Sequence, residues 1–277
     1  MTRIVNNCVA LVCLCLFWGQ SLRAADASHS EQIKWGNESV FNEEHNTLGL
    51  FSGVLGGQIV LAGGTSDDYS RWGRNAVCLS ENAGFALYED VLSKPLAYGA
   101  SITLSDGILC IGGRDSSQCY KDVFLVTMQQ GKLNVSEDWP PLPFPLSNAA
   151  GALLDNKVYL FGGRKSVSPS RLSDSFFVLD LSNKSRGWKE LPGYPGCVRE
   201  DAILVVQNNG VSPCLYLLGG QTETEEGLSS CSTDGYVYNP QLGKWSSLGS
   251  DFPKGICAAV ASGANHILLF QKEPEDT

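Results

Sequence analysis

The feature that most constrains this chain is an apolar run closed by two glycines, which recurs four times. The copies read IVLAGG at 59–64, ILCIGG at 108–113, VYLFGG at 158–163 and LYLLGG at 215–220. Their first glycines, Gly63, Gly112, Gly162 and Gly219, stand 49, 50 and 57 residues apart. A period of about 50 residues marks a supersecondary unit that cannot bury both its faces alone and must stack on copies of itself.

Other features keep step with the glycine pairs. Before each run lies a second apolar stretch with small residues: GLFSGVL at 49–55, YGASITL at 98–104, NAAGALL at 148–154 and EDAILVV at 200–206. Polar turns such as Ser105-Asp106-Gly107 and Asp155-Asn156-Lys157 join the two stretches. That is hairpin chemistry, because Asp, Asn and Gly tolerate positive φ. After each glycine pair comes a polar loop. An alternating strand follows in three units: DVFLVTM at 122–128, DSFFVLD at 174–180 and DGYVYNP at 234–240. A tryptophan strand closes the same three units at Trp139, Trp188 and Trp245. The pattern predicts an all-β fold, a kelch-type β-propeller, with one four-stranded sheet per repeat and sheets packed radially. The competing fold is a β-sandwich with coincidental glycine pairs, which four copies in register with tryptophan disfavour.

A fifth unit starts at Lys254-Gly255-Ile256 and runs through His266-Ile267-Leu268-Leu269-Phe270. It is incomplete, because QKEPEDT at 271–277 stands where a glycine pair belongs. Near the start, Gln32-Ile33-Lys34-Trp35 reads as an outer tryptophan strand with no blade before it. The two pieces are expected to complete one shared blade, giving five. The alternative is a six-bladed design with its last part absent from this chain. The expected division is a leader at 1–25, a propeller at 32–270 and a tail at 271–277.

Thirty glycines and a charged fraction of 18% suit short strands and tight turns. A net charge of −9 argues against nucleic acid or an anionic membrane as partner. The start of the chain carries Arg3, an apolar run of 11 residues at 8–18 and small residues for cleavage within 21–27, which marks 1–25 as a leader. That is a signal-peptide pattern, too short for a stable membrane span. It implies export, to a periplasm or outside the cell. Setting aside Cys8, Cys13 and Cys15 in the leader, seven cysteines remain, an odd number that cannot all pair within one chain. Cys110 and Cys257 are expected to be buried, and Cys214–Cys231 is a candidate clip within one repeat. The histidines, His29, His45 and His266, form no metal-ligand spacing, so neither metal nor other cofactor is expected. Copper-radical oxidation, which needs several histidines and tyrosines on the metal, is excluded on the same ground. The acidic run ETEE at 223–226 is expected to be an exposed loop.

The segments GLFSGVLGGQIVLAGGTS (49–66), LAYGASITLSDGILCIGGRDSSQCYKDVFLV (96–126), VYLFGGRKS (158–166) and VREDAILVV with LYLLGGQT (198–222) resemble the N-acetylneuraminate epimerase family, the sialic acid mutarotases. More specifically they resemble its cyclically permuted, exported members. The resemblance covers about residues 32–270. It implies six blades and a cofactor-independent interconversion of sialic acid anomers by acid–base ring opening. The family's proton acceptor is a glutamate in a stretch reading roughly Gly-Glu-x-Lys-Pro-Gly-x-Arg. In the permuted order that blade follows the unit starting at Lys254, and no such stretch occurs here. The nearest shape, 163–171, has Arg164 in place of the glutamate. No catalytic residue is therefore carried over. The resemblance implies a shortened, inactive member or a proton shuttle built from other residues. The alternative is a non-catalytic kelch scaffold that binds protein or glycan.

Ligands of propellers bind in the central funnel, near residues that follow each glycine pair or begin each inner strand. Those positions hold Arg114 and Asp115, Arg164 and Lys165, Gln221, Tyr98, Asn148, and Arg199 with Glu200. Arg114, Arg164 and Arg199 suit a sugar carboxylate, because a guanidinium fork matches two oxygens. Tyr98 and Asn148 are further candidates to line the funnel. Glu200 and Asp115 are the carboxylates nominated as base for the anomeric hydroxyl.

Overall fold

The computed structural model describes residues 48–80, 84–223 and 229–271. The leader at 1–25, the strand at 32–35, the tail beyond Gln271 and the acidic run beyond Glu223 lie outside the described residues.

Each repeat becomes one antiparallel sheet. The first holds β1 (Leu48–Leu55), β2 (Gln58–Thr65), β3 (Ala76–Ser80) and β4 (Gly84–Tyr88). The second holds β5 (Ala100–Thr103), β6 (Ile108–Ile111), β7 (Val123–Gln129) and β8 (Lys132–Ser136). The third runs through β9 (Ala150–Leu154), β10 (Lys157–Phe161), β13 (Phe176–Asp180) and β14 (Lys189–Glu190). Its post-glycine loop folds into a small hairpin of β11 (Arg164–Ser166) and β12 (Arg171–Leu172), and a 3-10 turn at Leu181–Arg186 follows β13. The fourth holds β15 (Ile203–Asn208), β16 (Pro213–Leu218), β19 (Gly235–Asn239) and β20 (Lys244–Gly249). It carries the matching small hairpin β17 (Gln221–Glu223) and β18 (Ser229–Cys231). The fifth unit is a hairpin of β21 (Ile256–Ser262) and β22 (His266–Gln271). Inner strands pack on inner strands in chain order: β1 on β5, β5 on β9, β9 on β15, and β15 on β21. This is the expected propeller architecture, with units four strands deep packed face to face.

Alternation along the second strand of each sheet explains the stacking. Ile108 and Cys110 of β6 face the first sheet, where they meet Phe51, Val60, Ala76 and Cys78. Leu109 and Ile111 face the third sheet, where they meet Val158, Leu160, Phe177 and Leu179. Tyr159 and Phe161 of β10 then face the fourth sheet and its Leu215, Leu217 and Tyr238. A strand covered on both sides must be apolar at every position, hence the continuous apolar runs in the sequence. Each such fully buried large side chain contributes about 1.5–3 kcal/mol.

The glycine pairs do more than permit close approach. Gly112 has φ +63°, and a Cβ there would stand 2.2 Å from the Leu146 carbonyl oxygen. The next residue, Gly113, donates its N–H to that same oxygen at 2.8 Å. Gly64 to Leu96 at 2.9 Å and Gly163 to Arg199 at 2.9 Å repeat the bond. These three pairs therefore clasp the backbone that enters the following unit.

Four expectations need correction. The outer strand of the second sheet is β8, and Trp139 sits in the loop after it. Trp188 lies just before the two-residue β14, where its indole N–H donates to the Pro140 carbonyl at 3.0 Å. Both rings still pack between the second and third sheets. Cys214 and Cys231 are free thiols. Cys214 is the second residue of β16, opposite Gln207, whereas Cys231 pairs with Gln221 beyond the other end of that strand, so no bridge can span them. Cys110 is buried as expected, while Cys257 is only half-buried.

Candidate functional site

The funnel end is organised by one backbone conformation, repeated. Gly49, Tyr98, Asn148 and Asp201 stand at or just before the inner strands with φ of 63°, 59°, 55° and 53°. Their backbones are linked in series. Tyr98 N–H donates to the Gly49 carbonyl at 2.7 Å, Asn148 to Tyr98 at 2.7 Å, and Asp201 to Asn148 at 3.0 Å. Positive φ is uncommon for side chains other than Gly, Asn and Asp, and a tyrosine there is strained. Repetition of the conformation brings Tyr98, Asn148 and Asp201 to equivalent places around the axis.

Equivalence also shows which candidates meet. Arg199 corresponds to Leu96 and Leu146, whose carbonyls receive the glycine pairs, and Glu200 corresponds to Ala97 and Ser147. Arg199 is therefore not a funnel residue. It is 0% exposed. Its Nη2 donates to Asp234 at 2.7 Å, its Nε to the Tyr194 hydroxyl at 3.0 Å and its Nη1 to the Gly219 carbonyl at 3.1 Å. Its guanidinium also lies 5.3 Å from the Tyr194 ring centre. Each of its three nitrogens thus donates to an internal partner.

Glu200 and Arg164 come together across the third and fourth units in a two-point ion pair. Arg164 Nε donates to Oε2 at 2.8 Å and Nη2 to Oε1. Beside them is a cavity of about 240 Å³ lined by Ser170, Leu172, Thr222 and Glu223. Gln221 is the backbone partner of Glu200, and Lys165 lies over the Phe144 ring at 4.4 Å.

Asp115 is locked within its own turn. Its carboxylate accepts from the Ser117 backbone at 2.7 Å, the Ser117 hydroxyl at 2.8 Å, the Gln118 backbone at 2.9 Å and the Tyr120 hydroxyl at 2.6 Å. Desolvation alone would raise its pKa, but these hydrogen bonds outweigh it and bring the pKa down to about 2. Such a carboxylate is a poor proton acceptor near neutral pH.

The carboxylate with the opposite tendency is Asp201, which the sequence reading passed over. Its side chain opens to solvent in the funnel, yet protein surrounds it closely. Desolvation raises its pKa, and the nearby Glu200 charge adds to this against the Asn148 hydrogen bond and the charges of Arg164 and Arg114. Asn148 Nδ2 donates to Asp201 Oδ1 at 2.9 Å. Among the described residues no donor reaches the buried Asn148 Oδ1, an arrangement that costs about 1–3 kcal/mol. The signal that identifies Asp201 is register: Tyr98-Gly99-Ala100, Asn148-Ala149-Ala150 and Asp201-Ala202-Ile203 are the same step of successive repeats.

Arg114 and Tyr98 meet at the other side of this end. The Arg114 guanidinium stands 4.6 Å from the Tyr98 ring centre and 5.2 Å from that of Trp72. Burial and a hydrogen bond with Tyr69 push the Tyr98 hydroxyl pKa well up, so it stays protonated. Among the described residues no three His, Cys, Asp or Glu side chains converge as a metal site. Among the same residues, no helix is long and apolar enough to cross a membrane.

Residues 139–272 match the family model of N-acetylneuraminate epimerase. The chain is 30% identical over 139 residues to an N-acetylneuraminate epimerase of Yersinia pestis (strain Pestoides F), covering 48% of this chain and 33% of that protein. It is 31% identical over 131 residues to one of Haemophilus influenzae (strain PittEE), covering 47% and 32%. A kelch domain-containing protein of Vibrio cholerae is 29% identical over 141 residues, covering 50% and 36%. The matched part of the chain thus spans about a third of the length of these relatives.

Proposed function

We propose that this chain is a sugar isomerase of the N-acetylneuraminate epimerase type that interconverts anomers without a cofactor, with Asp201 as its proton-transfer group. The observation that carries this reading is the Asn148–Asp201 pair: a funnel carboxylate of raised pKa, oriented by an amide. Mutarotation needs one group to take the proton of the anomeric hydroxyl and return one to the ring oxygen. The ring opens to the ketone and recloses on the other face, and the proton count is unchanged at the end. A carboxyl whose pKa lies above the ordinary 3.8 is better matched to that exchange than Asp115 or the ion-paired Glu200. Arg164 and Glu200 fix one another and so hold the wall of the cavity beside it. The family resemblance of residues 139–272, which contain Asn148, Arg164, Glu200 and Asp201, supports this substrate class. Export by the leader at 1–25 belongs to the same proposal.

The test is anomer exchange of freshly dissolved N-acetylneuraminate, followed by proton NMR with and without the protein. Acceleration is expected, with loss of at least tenfold in Asp201→Asn and a smaller loss in Asn148→Ala. A rate equal to the uncatalysed one removes the enzyme reading. It would leave the second, a kelch scaffold that binds a sugar or protein without chemistry. That second reading is favoured by the way Glu200 and Asp115 are already occupied by internal partners.

A further inference from the structure

The loop between β2 and β3 is built to hold one side chain out. Tyr69 has φ +59° and is 49% exposed. For a bulky residue that conformation is strained and persists only where the surroundings impose it. Here they do. Tyr69 N–H donates to the Ser66 carbonyl at 2.9 Å, and the Ser66 N–H donates to the Arg71 carbonyl at 2.9 Å. Asp68 accepts from the Ser66 hydroxyl at 2.5 Å and from the Ser70 backbone at 3.0 Å. The Trp72 indole N–H donates back to the Tyr69 carbonyl at 3.1 Å.

This loop sets three rings beside one another at the funnel end. Tyr69 and Tyr98 lie nearly parallel with centres 6.5 Å apart, and Trp72 meets Tyr98 edge-on at 6.3 Å. Arg114 stands over Trp72 and Tyr98 and, among the described residues, forms no ion pair. Its Nη1 donates to the Asp115 carbonyl at 3.4 Å, and the other donors of a guanidinium held by aromatic faces can meet an external anion. Exposed aromatic faces beside it suit the apolar face of a sugar ring.

The geometry points to Tyr69, Trp72, Tyr98 and Arg114 as a binding subsite for a carboxylate-bearing sugar ring, which stacks on the aromatic faces while its carboxylate meets Arg114. These four residues lie outside the stretch matched by the epimerase family model. The choice of an acidic sugar rests on the function proposed above, whereas the platform rests on its own geometry.

The experiment uses the methyl glycosides of N-acetylneuraminate, which cannot ring-open, so binding is read apart from isomerisation. Titrations are followed by tryptophan fluorescence and by ligand-observed NMR. Quenching that disappears in Trp72→Phe is expected. Arg114→Ala and Arg114→Lys are each expected to weaken binding at least tenfold, as is esterifying the ligand's carboxylate. Tyr69→Ala, at an exposed position, is expected to weaken it about fivefold with an unchanged melting temperature. Because these glycosides bind without ring opening, a failed isomerase assay does not touch this result. Equal affinity of Arg114→Ala and the parent, or of the acid and its ester, overturns the proposal.

Discussion

Asn148 and Asp201 hold each other twice: the Asn148 side-chain amide donates to the Asp201 carboxylate at 2.9 Å, and the Asp201 backbone N–H donates to the Asn148 carbonyl at 3.0 Å. The residues are 53 positions apart and begin adjacent inner strands. The backbone bond belongs to the series that links the first four units in turn. The side-chain bond is particular to this pair, and it orients the Asp201 carboxylate.

That carboxylate should cost stability at neutral pH. The folded-state pKa of Asp201 is raised above 3.8, so the folded protein binds the proton more tightly than the unfolded chain. The stability this contributes is complete below pH 3.8 and is lost as pH rises through the raised folded value. Asp201→Asn keeps the acceptor for Asn148 and removes the charge. Its melting temperature is expected to exceed the parent's at pH 7, with the two converging below pH 3.8. Calorimetry across that range decides it, and a parent more stable than the variant at pH 7 contradicts the linkage.

Arg199 behaves in the opposite sense, as a structural charge. Arg199→Leu supplies the residue type found at the equivalent Leu96 and Leu146 but strands Asp234 and the Gly219 carbonyl. A loss of about 3–5 kcal/mol in urea unfolding is expected. Arg199→Lys should recover less than half of it, because an ammonium cannot reach three partners at once. Burial would raise the Asp234 pKa, but bonds from Ser232, Arg199 and Tyr236 together with the Arg199 charge lower it. A depressed carboxyl stabilises above pH 3.8 and loses that contribution as pH falls through its folded pKa. The parent should therefore resist acid to a lower pH than Arg199→Leu.

Two glycine-to-alanine changes separate conformation from contact. Gly131 has φ +74° with nothing near the missing Cβ, so Gly131→Ala should cost about 1–2 kcal/mol, the left-handed penalty alone. Gly112 has a similar φ, but its Cβ would meet the Leu146 carbonyl oxygen. Gly112→Ala is expected to cost more than about 3 kcal/mol, since the next unit's backbone must shift. Equal destabilisation of the two variants would mean that the clasp between units contributes nothing.

Thiol labelling tests the cysteine assignment. Cys197 and Cys231 are exposed and should react with maleimide in the native protein, as mapped by mass spectrometry of the peptides. Cys78, Cys110, Cys119 and Cys214 are buried and should react only after denaturation. Burial also pushes the Cys78 pKa up to about 11, leaving almost no thiolate at pH 7. A Cys214–Cys231 disulfide in the purified protein would contradict the strand ends on which these two residues sit.

The repeat was readable because its signals are local. An apolar run must be apolar throughout when both faces of a strand are covered, and a glycine pair must stand where backbone meets backbone. Those requirements hold within a few residues of sequence, so Gly63, Gly112, Gly162 and Gly219 marked the units before any coordinates were known. The site's signal is weaker, because it depends on register at a step that is not extended chain. The step equivalent to Tyr98 and Asn148 is Asp201, with φ +53°, and the two residues before it, Arg199 and Glu200, are held by Asp234 and Arg164. Two positions along the chain separate a buried ion-paired arginine from an exposed carboxylate.

The sequence by itself determined the all-β class, the unit length and the strand order within each unit, because hydrophobic alternation and turn chemistry act over short spans. Tertiary structure decided which polar side chains face the axis and which are consumed internally. Arg114, Arg164 and Arg199 look alike in the chain, yet one rests on aromatic rings, one is clamped by Glu200, and one is sealed against Asp234. A side chain's partner comes from another repeat or another strand, tens of residues away. Only the packing of one sheet on the next brings those residues within hydrogen-bonding distance.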